Sequence, residues 1–265
     1  MEAMMRDLDG KWALVTGASS GFGVDFARLL AERGANLVLI ARRQGPMEEL
    51  AAQLRSEHQV QIHVEAMDLA REGVGTFLKT RLETLSIRID ILINNAGFGL
   101  FGRFLDQPLA TTMNMLQLNI MSLTEITHAF ATDMALRGGG QILLIASIGG
   151  YQATPLYAAY SASKAYVLLF GEALHEEMKA QGVSVTVLSP GITATSFLAV
   201  SGQKPTLYQR VSMMQSRPVA QIGLNALKAG RASIVPGLIN VLTLASSRFT
   251  PRWAQRKLAY QLMKN

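Results

Sequence analysis

Seven short, mostly apolar runs, spaced far enough apart for a helix between each pair, limit what this chain can fold into. They cover residues 12–16, 37–41, 61–66, 89–94, 141–147, 184–189 and 232–235. Runs of this length, bounded by turn residues, suit buried strands. Between the first two, Phe26, Leu29 and Leu30 recur at helical spacing and Gly34 closes the pattern. Residues 48–57 read as a second helix. Strands alternating with helices predict a doubly wound α/β fold, one parallel sheet of about seven strands with helices on both faces. No repeat or Pro/Gly-rich linker marks a second domain, so residues 1–265 read as one domain. The stretch 193–218 lacks a clear period, and a loop of that size reads as a lid or substrate loop.

The first run ends in Thr16-Gly17-Ala18-Ser19-Ser20-Gly21-Phe22-Gly23 and opens directly into the first helix. Glycines allow a tight turn and close backbone approach, and a helix N-terminus offers N–H groups and positive dipole to a pyrophosphate. Gly17, Ser19, Ser20, Gly21, Phe22 and Gly23 are therefore candidate phosphate contacts. The spacing is G-x-x-x-G-x-G, which differs from the commoner G-x-G-x-x-G, and a plain strand–helix turn without a ligand is the competing reading. Gly17-Ala18-Ser19-Ser20-Gly21 also fits the G-x-S-x-G elbow of serine hydrolases. That elbow needs an earlier strand to supply an oxyanion-hole loop, and none precedes this one. His58, His63, His128 and His175 form no metal or triad spacing, so no metal site is expected.

At the end of the second run, a carboxylate would suit a ribose 2′-hydroxyl and an arginine a 2′-phosphate. The run ends Ile40-Ala41-Arg42-Arg43. The planar guanidinium matches phosphate oxygens bidentately. Arg42 is the stronger candidate, with Arg43 stacking or pairing beside it, and the pattern points to NADP over NAD.

Tyr160 and Lys164 stand at i and i+4, on one helical face. A free phenol has a pKa of about 10, and a neighbouring cation draws it toward a useful acid/base range. With these pieces in order, the chain resembles the short-chain dehydrogenase/reductase family, in its NADP-type reductase branch. The resemblance covers roughly residues 9–200 and rests on the Thr16–Gly23 turn, Asp68, Asn94-Asn95-Ala96-Gly97, Asn119, Ser147, Tyr160 with Lys164, and Pro190-Gly191. It implies a Rossmann-like fold and hydride exchange between NADP(H) and a carbonyl/alcohol pair. By that resemblance Ser147 binds the substrate oxygen, Tyr160 moves the proton, Lys164 tunes it and holds the nicotinamide ribose, and Asn119 supports a relay water. Asp68, with Leu69 beside it, would hold the adenine; Asn95, Ala96 and Gly97 the middle of the cofactor; and Pro190, Gly191 and Thr193 its nicotinamide end. A homodimer or homotetramer through the helices around Asn119 and Tyr160 is also implied. The competing function is a sensor or scaffold that binds NADPH without turnover.

Pocket candidates are Phe98, Gly99, Leu100, Phe101, Tyr151, Tyr157, Phe197, Leu198, Leu207, Tyr208, Met213 and Met214, an apolar set suited to an aliphatic or aromatic carbonyl, such as an apolar ketone or 3-oxoacyl thioester. Many could equally be core or lid packing. Residues 236–265 form an extension beyond residue 200. One helix would carry Leu238, Val241, Leu242 and Ala245; a second, after Pro251, would carry Trp253, Leu258 and Leu262 beside Arg252, Arg256 and Lys257. A basic amphipathic helix can lie on an anionic membrane or pack on its own protein.

Charge is distributed unevenly. All 19 acids lie in residues 1–177, while residues 178–265 carry 11 Lys/Arg and no acid. Such a balance attracts anionic partners: cofactor or coenzyme A phosphates, an acidic carrier protein, a membrane surface or nucleic acid. Scattered solvated charges explain it equally well, and nucleic acid is not expected. With no cysteine, there is no disulfide or thiolate chemistry. No apolar run reaches the ~18–20 residues of a membrane span, and the N-terminus lacks a secretory pattern. A cytoplasmic protein is expected.

Overall fold

The computed structural model describes residues 6–195, 197–204, 206, 210 and 212–264. The strands are β1 (Trp12–Thr16), β2 (Asn36–Ala41), β3 (Ile62–Ala66), β4 (Ile91–Asn94), β5 (Gly140–Ile145), β6 (Val183–Leu188) and β9 (Ser233–Ile234). They form one parallel sheet in the order β3-β2-β1-β4-β5-β6-β9. A doubly wound α/β sheet was expected, and this is its order. Because the period of a strand is two, neighbours on β1 and β2 serve opposite faces. Ala13, Val15, Leu37 and Leu39 join the core under α1 (Phe22–Glu32) and α2 (Gln44–His58). Leu14, Val38 and Ile40 join the core under α3 (Val74–Thr84), α5 (Leu123–Leu136) and α6 (Ala158–Met178). Burial on both faces explains why these strands read as continuous apolar runs.

β1 lies between β2 and β4, so the winding reverses there. At such a point the loops leaving the carboxyl ends of two strands diverge and open a crevice. The same crevice receives the ends of β5 and β6.

Several boundaries differ from expectation for identifiable reasons. α2 begins at Gln44, four residues before the expected start, because Gly45 and Pro46 fall in its first turn, where proline loses no hydrogen bond. β4 begins at Ile91. Ile89 O instead accepts from Arg137 Nη2, and the Asp90 carboxylate accepts from Trp12 N at 2.9 Å. β5 ends at Ile145, since Ser147 turns out of the sheet as the cap of a short 3₁₀ turn, Ile148–Gly150.

The aperiodic stretch is organised by a second, two-stranded sheet, β7 (Thr193–Ala194) with β8 (Met214–Gln215). Between them lies α7 (Phe197–Ser201), and α8 (Ser216–Lys228) starts directly after β8. Leu207 and Tyr208, expected in the pocket, lie outside the described residues. The extension forms α9 (Leu238–Ser247) and α10 (Arg252–Met263), with Pro251 capping the latter as expected. Among the described residues no helix is long and apolar enough to cross a membrane, and no group of three potential metal ligands comes together.

Candidate active site

One cavity of about 530 Å³ runs across the carboxyl ends of β1, β2, β4, β5 and β6. Its floor at the first turn is built by Thr16, a fully buried hydroxyl at the end of an otherwise apolar strand. Thr16 Oγ1 accepts from Asn95 N and Ala96 N, both at 2.9 Å, and Asn95 Nδ2 donates to Thr16 O at 2.8 Å. These bonds pin the Asn95-Ala96-Gly97 loop to the glycine turn. Gly17 sits at φ +71°, and a β-carbon there would stand 2.9 Å from Asn95 Nδ2. A Gly23 β-carbon would run into Gly17 O. Gly23 is thus a packing glycine behind the turn and does not line the cavity, whereas Gly17, Ser19, Ser20, Gly21 and Phe22 do. No side chain caps the N-terminus of α1.

Arg42 and Arg43 leave β2 at the cavity rim, both exposed. They differ in engagement. Arg43 Nη2 donates to Ser19 O at 3.1 Å and to Ser19 Oγ at 3.3 Å, holding the glycine turn. Asp68 is exposed at the rim and accepts from Ala70 N at 3.0 Å. Leu69 is buried, and its carbonyl accepts from Ser122 Oγ at 2.6 Å. Pro190, Gly191 and Thr193 line the far end. A Gly191 β-carbon would run into Asn240 Nδ2, so the loop after β6 packs directly on α9.

Tyr160, Lys164 and Ser147 converge at the centre. The ammonium of Lys164 donates to Ile145 O at 2.8 Å and lies 5.9 Å from the centroid of the Tyr160 ring. Lys164 is only 5 % exposed, and burial lowers its pKa to about 8. Ser147 Oγ accepts from Gly149 N at 3.1 Å. Burial pushes the Tyr160 phenol well above its usual range; the hydrogen bond with Ser147 opposes this and loses. The sequence suggested that the lysine draws the phenol down. In this geometry desolvation of the buried phenol wins, and the ammonium of Lys164 is engaged by the Ile145 carbonyl.

Asn119 lies behind this centre and does not line the cavity. It sits in a π-helical turn, Gln117–Ser122, between α4 (Leu109–Leu116) and α5. Such a bulge re-aims side chains that a regular helix would direct elsewhere. Asn119 Oδ1 accepts from Phe98 N at 3.1 Å, while its Nδ2 donates to Phe98 O at 2.9 Å and Ser163 Oγ at 3.1 Å. It therefore locks the loop that carries Gly97 to Gly99.

Aromatic rings roof the centre. Tyr157, Tyr160 and Phe197 pack with centroids 5.2–6.3 Å apart, and Phe101 lies 5.4 Å from Tyr157. Gly99 lets the rings close, since a β-carbon there would stand 2.6 Å from Phe197 Cζ. A polar seam ties this roof to the C-terminus. Tyr157 OH donates to Gln203 Oε1 at 2.8 Å and shares a 3.1 Å hydrogen bond with Ser201 Oγ; Gln203 Nε2 donates to Met263 O at 3.0 Å. Ser163, Gln203 and Asn240 went unnoticed in the sequence, and Thr16 was read only as the start of the glycine turn. A buried hydroxyl ending an apolar strand marks Thr16, and a lone amide within Leu-Ile-Asn-Val-Leu marks Asn240. Gln203, in an aperiodic stretch, carries no such signal.

The groups fit a phosphorylated dinucleotide: glycines that open a backbone cradle, an uncapped helix N-terminus and Arg42 at the β2 end. A model of the short chain dehydrogenase family matches residues 11–205. The very-long-chain 3-oxoacyl-CoA reductase of Mus musculus is 30% identical over 100% of this chain and 83% of its own length. Among solved structures, a short-chain dehydrogenase from Sphingobium yanoikuyae in complex with NADPH superimposes with a TM-score of 0.81 at 31% identity, covering 90% of this chain and 94% of its own. The bulky-bulky ketone specific alcohol dehydrogenase from Comamonas testosteroni gives 0.76 at 30% identity, with 90% and 92% covered.

Proposed function

The chain belongs to the short-chain dehydrogenase family, and from that premise we propose that it reduces apolar ketones or 3-oxoacyl thioesters with NADPH. One observation carries the reading: Ser147, Tyr160 and Lys164 meet in a single cavity that runs from the Arg42 rim to an apolar chamber under α9 and α10. The nicotinamide, when bound, supplies hydride to the carbonyl carbon. Ser147 donates a hydrogen bond to the carbonyl oxygen, and Tyr160 delivers its proton as that oxygen becomes an alkoxide. A phenol held above its usual pKa keeps this proton at neutral pH, the form reduction needs. Lys164, cationic below about 8, stabilises the phenolate left behind. Asn119 acts by holding Phe98. Arg42 takes the 2′-phosphate, the glycine turn the pyrophosphate, and Asp68 with Leu69 the adenine end. Asn95, Ala96 and Gly97 hold the middle, and Pro190, Gly191 and Thr193 the nicotinamide end.

The substrate reading draws on the chamber walls, Phe197, Leu198, Leu244, Leu258 and Leu262, and on the relatives' named activities. We read residues 1–265 as one domain, with 193–218 as lid and 236–265 as a wall of the substrate chamber. Exposed Leu109, Met113, Met121 and Leu169 on α4, the π-helical turn and α6 support self-association through those helices. The test is NADPH oxidation by the purified protein against 3-oxoacyl thioesters, hydrophobic ketones and keto-sugars. Turnover of the first two classes is expected; turnover of keto-sugars alone, or of nothing despite tight NADPH binding, would overturn the reading.

A further inference from the structure

The helical pair α9 and α10 presents its apolar residues outward to an unusual degree. α9 touches the protein through a narrow stripe, Asn240, Leu244 and Ser247, at i, i+4 and i+7. Its opposite face sets Leu238, Leu242 and Ala245 at i, i+4 and i+7, and Phe249 follows in the turn after the helix. Leu238 is 73% exposed, Leu242 59% and Phe249, at the tip of the pair, 89%. Arg248 precedes Phe249 in the chain, and Arg252, Arg256 and Lys257 follow on α10, all exposed, with Lys257 over the face of the exposed Trp253 at 5.4 Å. Among the described residues none of these four cations has an acidic partner, and no acid follows residue 177.

We infer that this face docks on an anionic lipid bilayer surface, seating the mouth of the cavity among the headgroups so that an apolar substrate enters from the membrane. The inference rests on the reading of the substrate as an apolar acyl or ketone compound. An exposed apolar ridge on one helix of the pair, joined to exposed cations and a tryptophan on the other, matches the interface between acyl chains and anionic headgroups. A second copy of the chain fits poorly, because an isologous contact would bring two cation-bearing, acid-free faces together. The cavity opens next to this helical pair: Leu258 of α10 and Val200 of α7 are exposed and line it at once. The inward side of the same pair, through Leu244, Ala259 and Leu262, forms its wall.

Co-sedimentation of the full chain with vesicles tests this. Partition is expected onto vesicles of phosphatidylcholine with phosphatidylserine, weakened by salt, and little onto phosphatidylcholine alone. Removing one cation near an anionic surface costs about fivefold in affinity, so Arg252→Gln with Arg256→Gln should weaken binding about thirtyfold. Leu242→Ser with Phe249→Ser should abolish it. All four side chains lie outside the cavity, so turnover of a water-soluble ketone should stay unchanged in both variants. No preference for the anionic vesicles, equal binding by the variants, or a dimer that needs Phe249 in light scattering would overturn the proposal. Vesicle binding without turnover of any apolar carbonyl would sink the substrate reading and leave the docking face standing. The reverse result would do the opposite.

Discussion

At the scale of single residues, the site separates holding a proton from being stable. Tyr160 keeps its proton because burial raises the phenol, while its hydrogen bond with Ser147 opposes that rise. Tyr160→Phe should cut turnover by roughly 10²–10⁴ with NADPH affinity nearly unchanged, read by stopped-assay turnover beside a fluorescence titration. A chain that only senses NADPH would show no functional loss. Lys164 is the costly member. Its pKa falls from 10.5 unfolded to about 8 folded, so below about 8 both states hold the proton and the fold bears the whole desolvation penalty. Between about 8 and 10.5 the unfolded chain binds the extra proton, and stability from this group rises with pH. The penalty is about 3 kcal/mol at neutral pH. Losing the bond to Ile145 costs about 1 kcal/mol. Lys164→Met should therefore unfold later in urea than the natural chain near pH 7, by about 2 kcal/mol, while losing turnover. The gap should narrow as pH rises past 9; a constant gap would mean that Lys164 is not desolvated.

At the scale of elements, the proposed cofactor choice rests on the strand ends. β2 delivers two arginines to the rim, and the structure divides their work: Arg43 braces Ser19, while Arg42 is left to meet a ligand. Charge-assisted pairs to phosphate are among the stronger hydrogen bonds, so Arg42→Ala should weaken NADPH roughly tenfold or more and NADH little. Equal losses for both nucleotides, measured by titration, would refute the 2′-phosphate assignment. The sheet was legible because strands buried on both faces must be apolar throughout, and the Tyr160–Lys164 pair because one helical turn fixes its geometry. The start of α2 was not, since Gly45 and Pro46 resemble a loop until the helix places them in its first turn. The β7–β8 pair was not, because two-residue strands leave no period. Asn119 was located, but its actual partners, Phe98 and Ser163, depend on a π-helical turn that no local pattern announces.

At the scale of the molecule, the site is one continuous path from the β2 edge to the C-terminal helices. Asn240 packs α9 on the loop after β6, and Gln203 links Tyr157 to Met263 at the end of α10. In the proposed reading a tail built this way is a wall of the substrate chamber, and its effect should grow with substrate length. Each methylene buried against such a wall contributes about 0.8 kcal/mol, close to fourfold in kcat/KM. Across a series of 3-oxoacyl thioesters, kcat/KM should climb about fourfold per methylene until the chamber between α7 and α10 is filled, then level off. Leu262→Asp, which puts a carboxylate into that wall, should flatten the climb while leaving NADPH affinity and the shortest substrate nearly untouched. A slope that survives Leu262→Asp would place the acyl chain elsewhere, along the Phe98–Phe101 loop. A loss equal at every chain length would show that α10 supports the fold and does not read the substrate.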